Sequence, residues 1–180
     1  TKTEIMRQTH DEMVRAGAVV KTTADVTGQV GQSFPDLRGL KKKERTPILK
    51  EAIRKLKYDL RQFLNGFKDQ NFEFDVDGKV LEARLYSTGI NEVLEKVTQE
   101  KASMLYTTKE IFSNARYLYS TSDYGGDSNV YRWNYFYTPV QIGEETVGVR
   151  IAVRDVRRGT SDVPESQIYN WGIKKDTPLN

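Results

Sequence analysis

Apolar residues recur at three- and four-residue steps in two stretches of the first 68 positions, and at every second position through much of the remainder. Ile5, Met6, Met13 and Val14 keep helical spacing up to Gly17, which predicts a short amphipathic helix carrying His10. Residues 21–40 show no sustained period and read as an irregular connector. Thr46 then stands as N-cap and Pro47 as first helical residue of a run in which Leu49, Ile53, Leu56, Leu60, Phe63 and Phe67 face one way. Asn65-Gly66 ends this second, longer helix.

Near residue 68 the period changes. Phe72-Glu-Phe-Asp-Val76 alternates, Asp77-Gly78 is a two-residue turn signal, and residues 79–85 alternate again, so the spacing predicts a β-hairpin. Thr88 opens a helix to about residue 102 through Ile90, Val93, Leu94 and Val97, and Thr107-Thr108-Lys109-Glu110 reads as a capping box for another. After the turn-rich stretch 120–129, three strands are expected at 130–140, 146–156 and 167–173. The predicted fold is α+β: an antiparallel sheet, made of the hairpin plus a three-stranded meander, packed on helices, with a helical N-terminal extension. Residues 1–68 form a helical, basic N-terminal region and residues 69–180 the α+β domain.

Composition restricts the chemistry. The 180 residues include no cysteine and one histidine, so thiol nucleophiles, thiolate metal sites and paired-imidazole sites are excluded. Mean hydropathy is −0.65, no apolar run is long enough to span a bilayer, and no signal peptide is visible, so a cytoplasmic protein is expected, without a membrane partner. A net charge of +3 hides an asymmetry: residues 1–68 carry 15 Lys/Arg against 8 Asp/Glu, whereas residues 69–180 carry 13 against 17. Lys41, Lys42, Lys43, Arg54 and Arg61 give the first region a basic stripe suited to phosphates, the alternative being a solvated helix face.

Strand alternation predicts two sheet faces. Tyr131, Trp133, Tyr135 and Tyr137 are assigned with Val147, Val149, Ile151, Val153, Tyr169, Trp171 and Ile173 to a buried face. Arg132, Asn134, Arg150, Arg154, Asn170 and Lys174 then share an exposed face, able to clamp phosphate oxygens unless its arginines pair with Glu82, Glu144 or Asp155. No metal site or other cofactor is expected, since Asp75/Asp77 and Asp123/Asp127 have turn spacing and Gly125-Gly126 lacks the residues of a phosphate-binding loop.

Several segments carry a resemblance: Val76-Asp-Gly-Lys-Val80, Ile111-Phe-Ser-Asn-Ala115, the aromatic run over 130–140, Ile142-Gly143, the valine-rich run over 147–153, and Tyr169-Asn-Trp-Gly172. In this order they resemble the nuclease-like superfamily of barnase, EndoU nucleases, colicin-type tRNases and RelE toxins, in the versions embedded in large polyvalent proteins of phages and mobile elements. The resemblance covers about 100 residues, from Phe72 to Lys175, and leaves residues 1–68 outside. It implies a metal-independent ribonuclease, acting as toxin or effector inside a bacterial host, in which the ribose 2′-OH attacks the adjacent phosphate. Histidine-using members are not matched, because no histidine follows His10. By the histidine-free route, Arg150 and Arg154 would hold the phosphate, Arg132 or Lys174 would assist, and Tyr137 or Tyr169 would move a proton. The alternative is a catalytically inactive module that binds nucleic acid or inhibits host machinery, with residues 1–68 offering a protein-docking arm through Leu49, Ile53, Leu56 and Phe63.

Overall fold

The computed structural model describes residues 1–122, 129–157 and 164–175. The Asp123/Asp127 pair and Gly125-Gly126 lie outside these described residues.

Helix α1 (Lys2–Arg15) follows the expected period and starts with a reciprocal cap, Thr1 accepting from the Glu4 amide at 3.2 Å. Gly17, at φ 72°, turns the chain out of it into the two-residue strand β1 (Val20–Lys21). The expected connector over 21–40 is corrected: it contains α2 (Ala24–Gln32), capped by Thr23. Gly28 and Gly31 weaken its helical signal. Helix α3 (Lys42–Asn65) begins a turn earlier than expected. Pro47 lies inside it, and the Thr46 hydroxyl donates to the Lys42 carbonyl at 2.9 Å instead of capping.

The hairpin forms as expected from β2 (Asn71–Val76) and β3 (Lys79–Leu85), with Asp77 and Gly78 both at positive φ as a type I′ turn requires. The helix expected over 88–102 is broken into α4 (Ser87–Val93) and α5 (Gln99–Leu105), because Thr98 caps a new start through the Lys101 amide. Helix α6 (Thr108–Asn114) has no capping box, since the Thr107 hydroxyl donates back to the Ser103 carbonyl. Strand β4 (Arg116–Ser122), which the sequence reading does not foresee and which corrects the start of the expected turn-rich stretch 120–129, precedes β5 (Val130–Ile142), β6 (Glu145–Val156) and β7 (Glu165–Ile173).

The α+β class holds, but the sheet is mixed. Its order is β1-β5-β6-β7-β3-β2, with β4 also paired to β5. The β5-β6-β7 meander and the β2-β3 hairpin are antiparallel, and β3 joins them by pairing parallel to β7 over Ala83–Leu85. The sheet curls until β2 comes back near β4. Its inner face carries Phe74, Phe136, Ile151, Ile168 and Trp171, which pack with Leu56, Leu60 and Leu64 of α3 and Phe112 of α6 in one core. A separate small cluster of Met6, Met13, Leu118 and Tyr137 holds α1 against the sheet. Among the described residues, no helix is long and apolar enough to cross a membrane.

Candidate nucleic-acid interface

Residues directly opposite in a ladder share a face, so register decides which side chains meet. Trp133 pairs with Arg154, Tyr135 with Ala152 and Tyr137 with Arg150. Asn134, Phe136 and Thr138 pair with Val153, Ile151 and Val149. The expected face assignment is therefore corrected by one residue along β5. The arginines of β6 share their face with the aromatic residues of β5, while Arg132 and Asn134 project on the side of the core valines.

A second irregularity brings in Tyr169. Ala152 pairs with Asn170 and Val153 with Ile168, so Tyr169 is the extra residue of a bulge. Its ring stands against Trp133 at 5.4 Å, and the Arg154 guanidinium lies 4.6 Å from its centroid. The Arg150 guanidinium lies 4.6 Å from the centroid of Tyr135, whose ring meets Tyr119 of β4 at 5.1 Å. Trp133, Tyr135, Arg150, Arg154 and Tyr169 are all partly exposed. Among the described residues neither arginine forms an ion pair; Arg154 Nε donates to Gln167 at 3.0 Å. The Cα atoms of the two arginines stand about 13 Å apart along β6, four residues at extended rise. Asn170 joins this face opposite Ala152, and the Lys174 amide continues the ladder to the Gly148 carbonyl at 2.9 Å.

Arg132 is held on the other face by Asp155. The Asp155 carboxylate is 1% exposed and accepts from Arg132 Nε at 2.8 Å, Asn134 Nδ2 at 3.0 Å and Ser166 Oγ at 2.6 Å. Of the pairings weighed from sequence, this is the one formed among the described residues. Asn134 is buried in this network, a placement that removes it from a surface ligand.

Tyr137 has no exposed surface, which corrects its expected place at a reacting phosphate. Its hydroxyl meets His10 Nδ1 of α1 at 2.7 Å, and burial pushes its pKa above the ordinary tyrosine range. The phenol stays protonated, and the imidazole tautomer decides which of the two groups donates. Burial also lowers the His10 pKa, against a smaller opposing effect of Asp11. A histidine whose folded pKa lies below its unfolded value near ~6.5 adds stability above that pH and loses it as the pH falls. Acidification from pH ~6.5 to ~5.5 is thus expected to lower the thermal midpoint, and His10→Leu to flatten that segment. The chain has one histidine, so thermal melts in this window report on His10.

The basic residues of α3 lie apart from this face. Lys41, Lys42 and Lys43 are exposed at its start, Arg54 pairs with Glu51 at 2.6 Å, and Arg61 donates to Asn91. Among the described residues no group of acidic or histidine side chains is placed to hold a metal.

Sequence reasoning placed Trp133 and Tyr135 in the core and missed them as surface groups. The available signal was the two-residue turn Gly143-Glu144, which pairs Ile142 with Glu145 and so fixes which β5 residues share a face with Arg150 and Arg154. Residues 51–169 match a protein family described as large polyvalent protein-associated domain 3. No curated protein and no solved structure matches the chain.

Proposed function

Because the chain belongs to the family of large polyvalent protein-associated domain 3, we propose that it is the nucleic-acid-binding module of such a protein, taking single-stranded RNA on the outer face of its meander. One observation carries this reading: two arginines that form no ion pair among the described residues each lie 4.6 Å from a tyrosine ring on a partly exposed face that also presents Trp133. Exposed rings accept bases of any sequence, and guanidinium groups between them neutralise the backbone. Lys174 and Asn170 extend the polar rim, and Lys41, Lys42 and Lys43 supply a second, non-specific attraction.

The test is a titration with short single-stranded RNA, followed by tryptophan fluorescence and anisotropy. Trp171 is wholly buried, so quenching reports on Trp133. Arg150→Ala and Arg154→Ala are each expected to weaken binding about tenfold and to reduce the slope of log K against log salt by about 0.7. Unchanged affinity in both variants overturns this reading.

Cleavage by 2′-OH attack is the second reading, favoured by the same arginine pair, which suits charge developing on a phosphate. Tyr169 is then the tyrosine with access, its hydroxyl donating to Glu92 at 3.5 Å. Incubation of RNA with the protein in EDTA, with analysis for 2′,3′-cyclic ends, separates the two. Products abolished in Arg150→Ala establish a ribonuclease effector; intact RNA leaves binding, or obstruction of host machinery on bound RNA.

A further inference from the structure

The row of paired residues containing Trp133 and Arg154 does not stop at the meander. Arg154 pairs with Gln167, Gln167 with Arg84 on β3, and Arg84 with Asn71 on β2. Arg84 therefore continues the same face, two strand spacings or about 10 Å beyond Arg154. There the sheet opens, because β3 and β7 pair only over three residues. A cleft of about 680 Å³ lies at this split, reached by residues of both faces, among them Arg84, Tyr86, Glu82, Arg132 and Glu165.

Arg84 is the unusual member. Its Nε is buried without a hydrogen-bond partner, the one such side-chain atom found among the described residues. Its guanidinium lies 5.5 Å from the Tyr86 ring centroid. A buried donor left unpaired is costly, so its persistence points to a partner from outside the chain. The second arginine, Arg132, is fixed in direction because Asp155 holds its Nε. On the rim, Glu82 and the Glu165 carboxylate, which accepts from Tyr86, oppose high negative charge. Three carboxylates line the cleft, Glu82, Asp155 and Glu165; Asp155 is ion-paired to Arg132, and the two guanidinium groups with the two rim carboxylates suit one phosphoryl group that carries hydroxyl donors.

We infer that this cleft seats the terminal phosphate monoester of a single RNA strand lying along the arginine–aromatic face, so that the domain recognises phosphorylated strand ends. This rests on the RNA-binding reading and adds a polarity to it. The bases stack from Trp133 and Tyr169 toward β3, and the terminal nucleotide turns into the cleft. Its phosphate meets Arg84 and Arg132, and its ribose hydroxyls donate to the rim carboxylates.

The experiment uses the full chain and one short fluorescent RNA in three forms: hydroxyl-ended, 5′-phosphorylated and 3′-phosphorylated. One phosphorylated form is expected to bind about tenfold tighter than the hydroxyl-ended strand. Arg84→Ala, and separately Arg84→Gln, should remove that increment so that the three forms bind alike, and Arg154→Ala should weaken all three forms while keeping the increment. Circular dichroism of both Arg84 variants checks that the fold persists. Equal affinity for the three forms overturns the end-recognition proposal and leaves the face reading standing. No binding of any form marks failure of the face reading itself, and this proposal falls with it. Adenosine monophosphate is the remaining arm: affinity equal to that of the phosphorylated strand overturns the strand end as the source and assigns the cleft to a free mononucleotide.

Discussion

Asp155→Ala is expected to lower the unfolding free energy by about 3 kcal/mol, measured by urea denaturation. The carboxylate anchors three donors from two strands, Arg132 and Asn134 on β5 and Ser166 on β7, and Asn134 passes the connection on to Ser120 of β4 at 2.6 Å. Removing it leaves the Asn134 amide and the Ser166 hydroxyl buried without their acceptor, each costing about 1–3 kcal/mol. Arg132 contributes little to that loss, because its side chain is 50% exposed and water replaces the partner. Ser166→Ala removes one donor and leaves the carboxylate two others, so about 1 kcal/mol is expected there. A loss under about 1 kcal/mol for Asp155→Ala would show that this end of the sheet is held by its ladders alone.

The same network explains why the site was only half legible in the sequence. Arg150 and Arg154 were assigned to a common face because β6 alternates cleanly, Val147, Val149, Ile151 and Val153 against the two arginines. Strand β5 does not alternate in this sense. Its odd positions hold Trp133, Tyr135 and Tyr137, and its even positions hold Phe136 and Val140, so both faces offer large apolar groups. Size alone favours burying the aromatic row, yet the polar residues Arg132 and Asn134 go inward because Asp155 waits there for them. Binary pattern cannot report a buried polar partner. The Tyr169 bulge is illegible for a similar reason, since one extra residue shifts the alternation of β7 in its middle.

The fold was legible where local signals act alone. The period of α1, the period of α3 and the Asp77-Gly78 turn each depend on a few neighbouring residues. The parallel pairing of β3 with β7 joins residues about eighty positions apart through three-residue contact, and no local pattern encodes it. That join is what extends the row from Arg154 to Arg84. Long-range topology therefore converts a cationic patch on the meander into a path that ends in a cleft.

Gly148→Ala is expected to destabilise the protein by about 2–3 kcal/mol and to release α1. A Cβ at position 148 would stand 2.2 Å from the Tyr137 hydroxyl oxygen and 2.8 Å from two ring carbons. The ring cannot withdraw freely, because Met6, Met13 and Leu118 pack around it and its hydroxyl is engaged by His10. This position requires glycine for close approach of a side chain, whatever its backbone angles. The loss should therefore couple to position 137. Tyr137→Phe removes the closest atom but keeps the ring carbons, so it should rescue Gly148→Ala in part; Tyr137→Leu should rescue it further, with a coupling energy of at least about 1 kcal/mol in the double-mutant cycle. Because Tyr137 is the sheet's hold on His10, Gly148→Ala should also flatten the melting response between pH ~6.5 and ~5.5. Additive losses at the two positions, or an intact acid response, would separate Gly148 from the contact that docks α1.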